Sequence, residues 1–142
     1  MTDLVVDSSV AVKWFSTETH TAEALRVLAD YRDGRLKMLA PDLIYAEFGN
    51  IIWKKQVFQG LHATTAEAVI KQFAQLLITV TSSQSLLEEA YQIASTHKRT
   101  VYDSRYIALS LHESCQFVTA DEKLVNAVGN AFPNIVWLAN WP

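Results

Sequence analysis

Short apolar runs alternate along the chain with longer stretches in which apolar residues recur every three or four positions. Runs of the first kind, Leu4-Val5-Val6, residues 36–40, Thr79-Val80-Thr81, Phe117-Val118-Thr119 and residues 135–138, predict short strands. The second rhythm predicts a short helix over 10–15 and longer ones over 21–31, 41 to about 58, 65–77, 85–98, 101–112 and 121–128. Ala22, Leu25, Leu28 and Ala29 share one helical face; Leu86, Leu87, Ala90, Ile93 and Ala94 form another stripe. Asp33-Gly34 and Gly60 are stop signals, and Pro41 suits the first turn of a helix.

Strands separated by helices predict an α/β fold with a parallel sheet, because parallel strands need crossover connections. The middle segment, 41–112, is helix-rich and is expected to form a helical layer or a lobe over one sheet edge. No repeat, low-complexity tract or linker interrupts the chain, so residues 1–142 are read as a single domain.

Composition narrows the class. Half the residues are hydrophobic and 19% are charged, ordinary values for a folded soluble chain. The single cysteine, Cys115, excludes an internal disulfide framework and suits a reducing compartment. The N-terminus lacks the pattern of a signal peptide and no apolar run is long enough to span a bilayer, so no membrane association and a cytoplasmic location are expected. The net charge of −3 weighs against a phosphate-binding surface. Two divalent cations held by acidic side chains would reverse that balance locally.

Such acids are present. Asp7 ends the first strand, Asp121 follows the strand FVT, and Asp103 starts a late helix. In open α/β sheets ligands bind beyond the carboxyl ends of the strands, where these residues are expected. Glu47 lies among Leu43, Ile44, Phe48, Ile51 and Ile52, inside an apolar stripe. A carboxylate facing a core costs several kcal/mol or takes up a proton, and a cation removes that penalty. Plainer roles compete: Asp7, Asp103 and Asp121 could cap helices, and Glu47 could snorkel or pair with Arg105 or Lys13. Capping leaves the set unexplained.

VVDSSVAVKWF, APDLIYAEFGNIIWKK, TVYDSRYIALSL and FVTADEKL, in this order and spacing, resemble the acidic blocks of the PIN-domain family, most closely its VapC-type toxins. The resemblance runs from Leu4 to Leu124. It implies a three-layer α/β/α sandwich with a central parallel sheet and an acidic pocket for Mg²⁺, with Mn²⁺ able to substitute. It also implies an endoribonuclease leaving 5′-phosphate and 3′-hydroxyl ends, with RNA as substrate, an antitoxin protein as partner and a homodimer as assembly. Asp7, Glu47, Asp103 and Asp121 match the metal-binding, catalytic acids, and Thr119 matches the threonine before the last of them. Ser8 and Ser9 match more loosely. Where many relatives carry small or apolar residues after the third acid, this chain has Ser104-Arg105, suited to a phosphate contact or to pairing with an acid.

On this reading the acids hold Mg²⁺, with Glu47 as ligand or water-orienting base. Their mutual repulsion predicts at least one raised pKa. Two rivals are a non-catalytic PIN-like binding module and a receiver-like domain with a phosphoacceptor aspartate. His20, His62, His97 and His112 lack zinc-site spacing. Lys54-Lys55 and Lys98-Arg99 read as solvated helix ends that could touch RNA. Trp14 and Trp53 are expected to pack, and Cys115 to be a small core residue.

Overall fold

The computed structural model describes residues 1–142. Strands β1 (Thr2–Val6), β2 (Leu36–Pro41), β3 (Thr79–Thr81), β4 (Gln116–Thr119) and β5 (Ile135–Trp137) form one parallel sheet of order β3-β2-β1-β4-β5. Helices supply every crossover. α1 (Ser8–Ala11) and α2 (Thr21–Arg32) lead to β2, and α3 (Ile44–Gln59) and α4 (Ala63–Ala74) to β3. α5 (Ser83–His97) and α6 (Val101–His112) lead to β4, and α7 (Glu122–Val128) to β5.

Consecutive residues of a strand point to opposite faces, yet Leu4, Val5 and Val6 of β1 and Phe117, Val118 and Thr119 of β4 are all buried. Both faces of the sheet are therefore covered, which is the three-layer α/β/α sandwich. α6 packs across β1, β2 and β4 with α5 beside it, and residues 104–110 are buried without a break. Phe48 of α3 stacks on Phe73 of α4 at 3.8 Å, with Phe15 edge-on to both. That aromatic cluster ties the helix-rich middle segment to the rest of the core.

The strand order positions the site. The chain proceeds outward from β1 through β2 to β3, then returns to lay β4 against the other side of β1. β1 and β4 thus flank the topological switch point, where the carboxyl ends of an α/β sheet leave a crevice. Val6 pairs with Val118, so the next residues, Asp7 and Thr119, emerge side by side.

Several details depart from the sequence reading. Pro41 ends β2, paired with Thr81, and does not open a helix; the Asp42 N–H then donates to the Thr81 carbonyl at 2.9 Å. Its missing N–H costs little at the end of a ladder. α2 buries Ala24, Val27 and Leu28, leaving Ala22, Leu25 and Ala29 exposed. Leu87 of α5 is exposed and Ala94 half-buried, and Leu43 is exposed ahead of α3. Trp14 packs as expected, its indole N–H donating to the Ala24 carbonyl at 2.9 Å, but Trp53 is exposed beside Phe58. Cys115 is half-buried against the core. No helix is long and apolar enough to cross a membrane.

Candidate active site

Asp7 sits at the centre of the site. It leaves β1 in an extended conformation and caps α1, its Oδ1 accepting from the Val10 N–H at 3.2 Å and from the Ser9 hydroxyl. Its Oδ2 accepts from the Thr119 hydroxyl at 2.6 Å. The side chain is buried, and no Lys, Arg or His forms an ion pair with it. Burial raises its pKa from 3.8 to about 6 against the lowering effect of the Ser9, Thr119 and Val10 donors, and the charge of Glu47 adds to the rise. The expected rise is present, but its chief cause is loss of water; the charge of Glu47 is the smallest contribution.

Thr119, the last residue of β4, is fully buried and links two acids. While donating to Asp7, its hydroxyl accepts the Asp121 N–H at 3.1 Å. Asp121 caps α7, its Oδ1 accepting from the Leu124 N–H at 3.2 Å. Ser9 closes the arrangement by accepting the Ala120 N–H at 3.0 Å. Capping and site membership are therefore compatible for Asp7 and Asp121: one carboxylate oxygen serves the helix, and the aspartate still stands at the switch point.

The other two acids approach from α3 and α6. Asp103 is the third residue of α6 and not its cap; Thr100 caps the helix, accepting the Asp103 N–H at 3.0 Å. Burial raises the Asp103 pKa, Arg99 opposes this at 3.6 Å, and the charges of Asp121 and Glu47 reinforce it. Glu47, in the first turn of α3, accepts through Oε1 from the Tyr106 hydroxyl at 2.7 Å and from Arg105 Nη2 at 3.2 Å. The alternative of pairing with Arg105 describes Glu47 in this conformation. Burial and the charges of Glu47 and Asp7 push the Tyr106 phenol upward, so it stays protonated and remains a donor.

Glu47 is close enough to raise the pKa of both Asp7 and Asp103, and Asp121 that of Asp103, while Thr119 joins Asp7 to the Asp121 backbone. No three of them close into a cation-gripping cluster in this conformation. Arg105 draws on Glu47 and Arg99 on Asp103, each arginine partly neutralising one acid. The donor set nevertheless fits Mg²⁺ or Mn²⁺. It is all carboxylate and hydroxyl oxygen, and the most buried carboxylate lacks a cation of its own. Tyr106 went unnoticed in the sequence, although a tyrosine inside a buried helix needs a partner for its hydroxyl. Of the basic pairs, Arg99 pairs with Asp103 and Lys55 with Glu18, the latter at 3.3 Å. None of the histidines joins the acids in a metal-holding group.

A five-stranded, all-parallel sheet covered by helices on both faces is the architecture of PIN domains. The chain belongs to the PIN-domain family, whose sequence profile matches residues 4–130. It is 26% identical over 135 residues to Ribonuclease VapC3 of Pyrobaculum aerophilum, a match spanning 94% of this chain and 97% of that protein. Among solved structures it is similar to PAE2754 of the same organism, with a TM-score of 0.66 and 18% identity over 97% of this chain and 92% of that one. Mycobacterium tuberculosis VapC20, described as a sarcin-ricin loop cleaving toxin, gives a TM-score of 0.64 and 15% identity over 87% and 94% of the two chains. VapBC2 from Rickettsia felis, bound to a DNA fragment from their promoter, gives 0.59 and 11% identity over 95% and 96%. At these identities the solved structures establish a shared fold.

Proposed function

We propose that this chain is a Mg²⁺-dependent endoribonuclease, with Mn²⁺ able to substitute, that hydrolyses RNA phosphodiester bonds at Asp7, Glu47, Asp103 and Asp121. We further propose that it is the toxin of a toxin–antitoxin pair, with a small antitoxin protein as its partner. The observation that carries the reading is the buried Asp7 carboxylate at the end of β1, left without a cationic partner and close enough to Glu47 to feel its charge. Membership of the PIN-domain family and the near full-length match to a protein named as a ribonuclease support it. A non-catalytic scaffold would use Asp7 as a helix cap but has no use for a further acid close enough to raise its pKa, and family membership replaces the receiver-like alternative.

Asp7, Asp103, Asp121 and Glu47 would hold the cation. When bound, it acidifies water and offsets negative charge on the phosphate. The chain itself supplies orientation. Ser9 and Thr119 fix both oxygens of Asp7, and the Asp121 backbone is tethered to the same threonine. Above a pH of about 6 Asp7 is ionised and able to act as a ligand. Phosphate approaching such acids unaided would be repelled, so cleavage requires the cation.

The test is cleavage of a panel of single-stranded and structured RNAs by wild type and Asp7→Asn, with Mg²⁺ and with chelator. Asn keeps the helix cap and the shape, so a folded but inactive variant is expected. Cleavage at wild-type rate by the variant, or cleavage indifferent to chelator, would refute the proposal.

A further inference from the structure

Two neighbouring residues of α6 converge on the same atom. Tyr106 Oη donates to Glu47 Oε1 at 2.7 Å, and Arg105 Nη2 donates to that oxygen at 3.2 Å. Glu47 Oε2 accepts nothing from the protein, although the side chain is 31% exposed. A glutamate carboxylate turns easily about its last bond, so an unrestrained one presents either oxygen. We propose that Arg105 and Tyr106 are positioning residues that hold Glu47 by Oε1 and thereby present Oε2 to the catalytic cation. This inference rests on reading the site as a cation-dependent nuclease.

Both donors are themselves fixed. Arg105 is 3% exposed, with its guanidinium carbon 5.6 Å from the Tyr102 ring centre and 5.5 Å from that of Tyr106. Its Nη1 reaches Ser83 Oγ at 3.5 Å, and the Ser83 hydroxyl donates to Asp42 Oδ1 at 2.7 Å. Tyr106 is 4% exposed and lies nearly parallel to Phe117 at 5.6 Å. Neither donor can follow Glu47 if the carboxylate turns away, so the geometry is set by α6.

Stability alone does not account for Arg105. Its buried Nε has no hydrogen-bond partner, and burying a guanidinium beside a carboxylate is often no better than packing an apolar side chain there. The arrangement does make sense as support for a ligand, because residues behind a metal ligand orient it and their loss typically weakens metal affinity or activity by about 10–100-fold.

The test uses Mn²⁺ as the probe, with binding read from the electron paramagnetic resonance signal of the free ion, on the full chain. Tyr106→Phe removes one hydroxyl without changing charge, and Arg105→Met keeps the length and packing of the side chain. Both folded variants are expected to bind Mn²⁺ about 10-fold or more weakly than wild type. Their RNA cleavage should lose kcat with KM unchanged. Should Arg105→Met fail to fold, Tyr106→Phe carries the test alone. Wild-type Mn²⁺ affinity in folded Tyr106→Phe overturns the clamp and leaves the nuclease reading intact. Tighter Mn²⁺ binding by Arg105→Met also overturns the clamp, making Arg105 a mere counter-charge. A wild-type chain that binds no Mn²⁺ removes the nuclease reading and the clamp together.

Discussion

Thr119 and Asp7 are joined across the central pair of strands by a hydrogen bond of 2.6 Å, and the same threonine oxygen takes the Asp121 N–H at 3.1 Å. Thr119→Val keeps the shape and removes both interactions, leaving a buried carboxylate oxygen and a backbone donor unpaired. The expected loss is about 1–3 kcal/mol in urea unfolding, together with slower RNA cleavage, because Asp7 loses the contact that orients it. Thr119→Ser should recover most of both. A valine variant as stable and active as wild type would show that the bridge contributes nothing.

Asp7 makes stability depend on pH in an uncommon direction. Its carboxyl has a pKa of about 6 in the folded chain against 3.8 when solvated. Between these values the unfolded chain has released a proton that the folded chain retains. Without divalent cations, stability should fall as pH rises from about 4 through 6, then level off. The shift corresponds to a loss on the order of 3 kcal/mol. Asp7→Asn removes this slope, so the variant should be more stable than metal-free wild type at pH 7.5 and nearly equal to it near pH 4. Parallel unfolding curves for the two chains at all pH values would contradict the buried, cation-free carboxylate.

The fold was legible where burial left no choice. β1 and β4 are covered on both faces, so their apolar runs are continuous, and Asp7 and Asp121 could be placed at their carboxyl ends from the chain alone. α2 was misread because Ala22, Leu25 and Ala29 make as good an apolar stripe as Ala24, Val27 and Leu28. Packing next to Trp14, whose indole reaches the Ala24 carbonyl, selects the second. Glu47 was read as core-facing, whereas its side chain is 31% exposed and leans on α6. Its relief by Arg105 and Tyr106 was only half visible, since those side chains meet it across 58 and 59 residues of chain. The Thr119 bridge depends on the register of β1 against β4, which no local pattern encodes.

Phe48 and Phe58 occupy the same helix and test how far burial governs its attachment. Phe48 is 1% exposed and stacked on Phe73, whereas Phe58 is 71% exposed and touches Trp53 edge-on. Phe48→Ala should cost about 3–5 kcal/mol, and Phe58→Ala less than about 1 kcal/mol. Because Glu47 adjoins Phe48, the first variant should also cleave poorly below its melting temperature. Equal losses for the two variants would mean that α3 is not anchored through the Phe48–Phe73 stack.

Divalent cations should act on stability through the same acids. A ligand that binds only the folded chain adds about 2.7 kcal/mol at a hundred times its dissociation constant. At pH 8, where Asp7 is ionised, Mg²⁺ or Mn²⁺ should therefore raise the melting temperature, and chelator should reverse the rise. At pH 5 most of Asp7 carries a proton, which the cation must displace, so the rise should shrink. Asp7→Asn should show little rise at either pH, since its amide is neutral and the remaining acids are partly held by Arg99 and Arg105. A melting temperature that Mg²⁺ and Mn²⁺ leave unmoved in wild type at pH 8, or move equally in Asp7→Asn, would place any bound cation away from the switch point.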